Sequence, residues 1–302
     1  MARLIHRGAR TMCDNDSIHD ILEFQRRAEL SRRQFGAMAA GTGLMFMLPK
    51  LADAADVKES EIEIKTPDGT CDAYFVHPAS GKHPGVLIWP DIFGLRPAFR
   101  KMATRLAESG YSVLVVNPFY RTKKAPVAAE GASFQDPTVR AALMQLAGTL
   151  SKDTADTDAK TFIAWLDKQS SVDKKRKMGT MGYCMGGPLT MRTAAAIPDR
   201  IGAGASFHGG GLVTDKPESP HLLVQKMKAS YLFAIAANDD EKQPDAKNVL
   251  RETFAKANLP AEIEVYEGTL HGWCPPDSQV YNEAQAEKAW SRLLAVFNKA
   301  LA

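Results

Sequence analysis

The segment Gly182-Tyr-Cys-Met-Gly186 places one cysteine between two glycines at the junction of two predicted elements. The apolar run 178–181 before it predicts a buried strand, and the composition of 188–197 after it predicts a helix. This pattern is typical of a nucleophile elbow, a turn so tight that the residues two positions away cannot carry a Cβ. We interpret Cys184 as a nucleophile with the Met185 N–H as one oxyanion donor. The alternative is a buried structural cysteine in a glycine-rich turn.

Two further residue types complete this chemistry. Asp239 directly follows a predicted strand and His271 follows the last one, which gives the chain order nucleophile, acid, histidine. His271 would move the proton of Cys184, and Asp239 would orient the imidazole and stabilise its cation. Asp240 competes for the acid role. His208 also ends a strand but precedes the acid in the chain, so we expect it near the rim of the pocket.

The elements that must position these side chains alternate along the chain. Pro67-Asp68-Gly69 predicts a turn between two antiparallel strands, and the later apolar runs predict strands buried on both faces. Segment 121–136 is long for a connection and is a candidate lid or pocket wall. Strands are predicted at 61–65, 71–76, 84–89, 111–117, 178–181, 201–207, 231–237 and 261–266, and helices at 97–109, 137–150, 154–169, 188–197, 244–257 and 279–302. The order predicts an α/β fold, a doubly wound and mostly parallel sheet with helices on both faces.

The composition of the chain gives no indication of nucleic-acid binding or of a metal site. The chain has 302 residues, is 45% hydrophobic and carries a formal net charge of +3. Its basic residues are scattered, so no nucleic-acid footprint is present. The four cysteines form no C-x-x-C pair, and no H-E-x-x-H occurs, so no metal site is indicated. The sequence leaves open whether Cys71 and Cys274 are free or paired.

The first 54 residues are predicted to lie outside the fold. Ser31-Arg-Arg-Gln-Phe-Gly36 precedes an uncharged run at 37–49 and a small-x-small cleavage site at 52–54. This arrangement resembles a twin-arginine export signal, although acidic residues upstream of the arginine pair depart from it. The run is too short for a comfortable membrane span. We therefore expect residues 55–302 to form the catalytic domain and the twin-arginine machinery to export it, folded, to the periplasm or beyond.

Four segments together resemble one family. They are Trp89-Pro-Asp-Ile-Phe-Gly94, Gly182-Tyr-Cys-Met-Gly-Gly187, Ala237-Asn-Asp239 and His271-Gly-Trp. In order and spacing they resemble the dienelactone hydrolase family of the α/β-hydrolase superfamily. The resemblance implies a cysteine hydrolase of a small-molecule ester or lactone, acting through a thioester without cofactor or metal.

The resemblance also assigns roles near the nucleophile. It places the second oxyanion donor at the Ile92 N–H. At the next position upstream the family has a glutamate that contacts the thiol and helps control its ionisation, a role called thiol gating here. This sequence has the shorter Asp91 at that position. Of two arginines that clamp a substrate carboxylate, one could correspond to Arg140, and the other position holds Pro275. Dienelactone itself is therefore an insecure substrate assignment.

Aromatic residues around the elbow predict a largely apolar pocket, although such residues also fill cores. The candidates are Phe93, Tyr183, Phe207 and Trp273, together with His208 and Arg140. Two other functional classes share part of this pattern. A glutaminase also uses G-x-C-x-G but needs a His-x-Glu late in the chain, where this sequence has His271-Gly-Trp. The other is a non-catalytic hydrolase fold that binds a ligand, against which the complete triad argues.

Overall fold

The computed structural model describes residues 55–302, so the predicted export signal lies outside the described residues. The strands are β1 (Val57–Thr66), β2 (Gly69–Pro78), β3 (Gly85–Trp89), β4 (Ser112–Val116), β5 (Met178–Tyr183), β6 (Ile201–Phe207), β7 (Ser230–Ala236) and β8 (Ala261–Tyr266). The helices are α1 (Pro97–Glu108), α2 (Pro137–Ala147), α3 (Lys152–Leu166), α4 (Gly186–Ala196), α5 (Ala237–Lys242), α6 (Ala246–Lys256) and α7 (Glu283–Ala300), and a 3₁₀ helix spans Pro220–Lys226.

The strands form one eight-stranded sheet in the order β1-β2-β4-β3-β5-β6-β7-β8. The opening hairpin and the β2–β4 pair are antiparallel, and all later pairs are parallel. The central strands β3 and β4 are buried along their whole length because helices cover both faces. This arrangement confirms the predicted mostly parallel α/β class.

The core is split into two layers by the sheet. Successive residues of β3 face opposite sides: Val86 and Ile88 pack with α1 and α7, whereas Leu87 and Trp89 pack with α3, α4 and α6. A third, smaller apolar cluster joins Ile92 and Phe119 to α2 beyond the carboxyl ends of the strands. The side chains predicted to do chemistry lie at that end of the sheet.

The structure corrects several predicted boundaries. The helix that follows Cys184 begins at Gly186, two residues before the predicted start. Asp239 lies in the first turn of the short helix α5 rather than in a loop. The closing helix begins only at Glu283 because the Asn282 side chain accepts a hydrogen bond from Gln285 N and caps it. Within residues 55–302, no helix is long and apolar enough to cross a membrane.

Candidate active site

Cys184 lies on a strained turn at the end of β5. Its φ angle is 53°, and its N–H donates to Phe207 O across the sheet at 3.1 Å. A Cβ built on Gly182 would lie 2.3 Å from Gly186 O, and one built on Gly186 would lie 2.3 Å from Trp89 O. Both glycines are therefore required by backbone contacts, as the elbow pattern predicts.

A second set of side chains comes from helix α5, directly after β7, and from the loop after β8. His271 Nδ1 and Asp239 Oδ2 are 2.8 Å apart, and the Asp239 side chain is only 5% exposed. The backbone N–H of His271 donates to Asn238 Oδ1, also at 2.8 Å. Asp240 instead forms an ion pair with Lys247. Of the two neighbouring carboxylates, Asp239 is the one that orients His271.

Cys184 and His271 line the same cavity, which has a volume of about 620 Å³. Ile92, Phe93 and His208 also line it. Its outer wall consists of residues 128–135 and 276–280, so part of the long segment 121–136 forms a pocket wall as the sequence indicated. A cavity of this size is within the range of small-molecule sites.

His208 lies deeper than the predicted rim position. Its residue is only 1% exposed, and its ring centroid is 5.0 Å from that of His271. Burial lowers the pKa of His208 well below its ordinary value, and His271 lowers it further. The imidazole of His208 is therefore neutral at physiological pH.

Comparison with known proteins agrees with this architecture. The dienelactone hydrolase family model matches residues 71–301. The chain belongs to the dienelactone hydrolase family. It is 28% identical over 244 residues to a carboxymethylenebutenolidase of Rhodococcus opacus, covering 78% of this chain and 90% of that protein. A putative carboxymethylenebutenolidase of a Synechocystis strain is 26% identical, covering 82% and 98% of the two chains.

The fold is shared with solved structures of the family. A putative dienelactone hydrolase of Klebsiella pneumoniae superposes with a TM-score of 0.70 at 24% identity, covering 81% of this chain and 99% of that one. A dienelactone hydrolase-like promiscuous phosphotriesterase from metagenomic libraries gives a TM-score of 0.66 at 19% identity, covering 82% and 99%. These structures confirm the predicted α/β-hydrolase fold.

Asp91, where the dienelactone hydrolase resemblance expects a thiol-gating glutamate, takes part in an ion-pair network. Its Oδ1 accepts hydrogen bonds from Arg96 Nη1 at 2.7 Å and from Phe93 N at 2.9 Å, and its Oδ2 accepts from Arg96 Nη2 at 3.0 Å. Arg96 also binds both carboxylate oxygens of Asp277, on the opposite wall. The guanidinium therefore joins two sides of the cavity mouth.

Four predicted pocket residues lie outside this cavity wall. Tyr183 stacks on Phe207 in the core, with ring centroids 4.8 Å apart, because both are strand residues that face α1 and α7. Trp273 is buried against Tyr266. Arg140 is a half-buried residue of α2. Pro275, at the other clamp position, is buried.

Sequence reasoning missed Arg96, Asn238 and the segment 276–280 as parts of the site. The only signal for 276–280 was the pair Pro275-Pro276, which prevents the closing helix from starting there. Cys71 and Cys274 form no disulfide with any described residue and are free thiols. Residues 55–302 also contain no cluster of three or more potential metal ligands.

Proposed function

We propose that this chain hydrolyses a carboxylic ester or lactone by means of a Cys184-His271-Asp239 triad. The observation that carries the proposal is the 2.8 Å contact between His271 and Asp239 beside a cavity that Cys184 also lines. An imidazole oriented by a carboxylate is the base that activates a cysteine nucleophile. Membership of a hydrolase family supports the same reaction class.

In the proposed reaction, His271 removes the proton of the Cys184 thiol and the thiolate attacks the ester carbonyl carbon. The carbon–oxygen bond to the leaving group then breaks, and His271 returns the proton to the departing alkoxide. Water, deprotonated by His271, attacks the resulting thioester and releases the carboxylic acid and the thiol. Asp239 stabilises the imidazolium in both halves of the cycle.

The negative charge on the carbonyl oxygen would be received by the backbone N–H groups of Ile92 and Met185. Each of these two residues lies in a turn that is closed by the N–H of a different residue. Gly94 N donates to Asp91 O at 2.9 Å, and Gly187 N donates to Cys184 O at 3.0 Å. The amides of Ile92 and Met185 lie outside those hydrogen bonds. Each oxyanion donor is worth roughly 3–4 kcal/mol of barrier lowering.

The test compares Cys184→Ala with Cys71→Ala, which removes a buried thiol elsewhere in the core. Cys184→Ala is expected to reduce p-nitrophenyl acetate hydrolysis to the background rate, whereas Cys71→Ala retains activity. Acid-quenched wild-type protein should carry one acyl group on the peptide that contains Cys184. Wild-type rates from a folded Cys184→Ala variant would refute the proposal.

Because relatives of this chain are named carboxymethylenebutenolidases, a lactone is the first substrate to test. Neither clamp position supplies an arginine to this cavity wall, since Arg140 lies elsewhere and Pro275 carries no charge. We therefore propose the ester and lactone class rather than dienelactone itself. A panel of lactones with and without a carboxylate, measured against Cys184→Ala, defines the preference.

We further propose that the twin-arginine machinery exports the chain. The supporting pattern is Ser31-Arg-Arg-Gln-Phe-Gly36 followed by the uncharged run 37–49. Replacing Arg32 and Arg33 with lysine should leave full-length protein in the cytoplasmic fraction. The matched control replaces Arg26 and Arg27, an arginine pair outside the motif, and should leave export intact. Equal export of both variants would contradict the assignment.

A further inference from the structure

His208 is a buried polar side chain without an assigned role. Both ring nitrogens are buried and have no hydrogen-bond partner within residues 55–302, yet the residue lines the cavity. A buried nitrogen that lacks a hydrogen-bond partner destabilises the folded protein. Such a group in a native site calls for a partner that the protein alone does not provide.

The backbone of His208 is also held in an unfavourable conformation. Only three non-glycine residues of the described chain have positive φ angles: Cys184, His208 and Asn258. Asn258 follows the end of α6, where a left-handed residue is ordinary. His208 has a φ of 40°, and its N–H donates to Ala234 O at 2.8 Å. Strain at a cavity wall indicates that the position of this side chain matters.

The described contacts of His208 include no carboxylate that would orient it as a general base. The carboxylate of Asp239 binds His271, and the rings around His208 are those of His271, Tyr183 and Trp273. The low pKa that follows from its burial keeps the ring neutral. A neutral imidazole offers one N–H donor and one lone pair.

The position of His208 relative to Cys184 indicates which substrate atom it meets. The two residues directly follow Phe207 and Tyr183, which are paired in adjacent parallel strands. Adjacent strands lie about 4.8 Å apart, so the backbone of His208 is one strand spacing from that of Cys184, and both residues line the same cavity. A group one or two bonds from the attacked carbonyl carbon falls within that distance.

We propose that His208 is a substrate-binding residue that hydrogen-bonds an oxygen on the carbon next to the ester carbonyl. The preferred substrates are then α-hydroxy or α-alkoxy esters and lactones, rather than their simple alkyl analogues. This inference rests on the proposed function, because it assumes that Cys184 attacks an ester bound in this cavity.

The test uses p-nitrophenyl methoxyacetate and p-nitrophenyl butyrate, in which an ether oxygen replaces one CH₂ group. For each protein, the kcat/KM value on the methoxyacetate is divided by that on the butyrate. Comparing this ratio between wild type and His208→Phe cancels the difference in chemical reactivity between the two esters. We expect His208→Phe to lower this ratio about 10- to 100-fold, the effect of losing one buried hydrogen bond. The readout is this ratio and not the absolute rate on either ester, because the His208 ring also contacts His271. His208→Gln, which keeps a donor and an acceptor, should restore part of the ratio.

Two controls keep the test decisive. His208→Gly relieves the backbone strain but leaves a cavity, so circular dichroism first establishes that both variants are folded, and His208→Gly should lower the ratio equally. An equal loss of activity on both esters, or an unchanged ratio, would overturn the role of His208 while leaving the hydrolase proposal intact. Wild-type protein that hydrolyses neither ester faster than the Cys184→Ala variant would overturn both proposals.

Discussion

The two walls of the cavity are built in different ways. The strand-end wall, comprising Cys184, His208, Asn238 and His271, is fixed by main-chain hydrogen bonds and by glycine contacts with the backbone. The loop wall, residues 128–135 and 276–280, contains no helix or strand and is for the most part only half-buried or exposed. Its two segments meet through side chains, as in the 3.3 Å bond from Gln135 Nε2 to Gln279 Oε1.

This contrast separates two requirements of a hydrolase. Reacting groups must be held within a fraction of an ångström, which close backbone packing provides. A wall held by a few exposed side-chain contacts adjusts to different substrates at little cost in stability. We therefore expect substitutions in the strand-end wall to affect folding and turnover, and substitutions in the loop wall to affect substrate choice.

The largest expected effect tests this contrast with one methyl group. Gly186→Ala, two residues after Cys184, places a Cβ 2.3 Å from Trp89 O and 2.9 Å from Pro90 O. Since neither backbone oxygen can move without shifting the sheet, we expect a loss of about 5 kcal/mol in unfolding free energy, or no folded protein. Urea denaturation measures this change.

The matched control is Gly131→Ala in the loop wall. A Cβ there meets nothing within 4 Å, so only its φ of 74° opposes the substitution. The expected cost is about 1 kcal/mol. Equal losses for the two variants would show that the strand-end wall is no more constrained than the loop wall.

The next effect separates the two adjacent carboxylates of α5. Asp239→Asn keeps the shape but removes the charge that orients His271, and we expect kcat/KM on p-nitrophenyl acetate to fall about 1,000-fold, or about 4 kcal/mol. Asp240→Asn removes only the ion pair with Lys247 and should leave the rate nearly unchanged. A larger loss for Asp240→Asn would reassign the acid.

The same contrast explains how much of the molecule could be inferred from sequence. The elbow was predictable because Gly182, Cys184 and Gly186 lie within one segment of five residues. The strands were predictable because each is a continuous apolar run in the sequence. The contact between Arg96 and Asp277 was not, since 181 residues separate them. Tyr183 and Trp273 were misplaced because the type of an aromatic residue does not reveal whether it faces the core or a cavity.

The last prediction concerns Arg96, the residue that joins the two walls. Arg96→Met leaves the carboxylate of Asp91, whose side chain is only 10% exposed, without its cation. We expect a loss of about 3 kcal/mol in unfolding free energy, because an unpaired buried charge is costly. Asp277→Asn removes the opposite end of the same network, where the side chain is 44% exposed and water screens the charge. That variant should lose at most about 1 kcal/mol. Thermal denaturation of both variants measures the difference. Equal destabilisation would mean that the Asp277 end of the network, in the loop wall, contributes as much to stability as the Asp91 end.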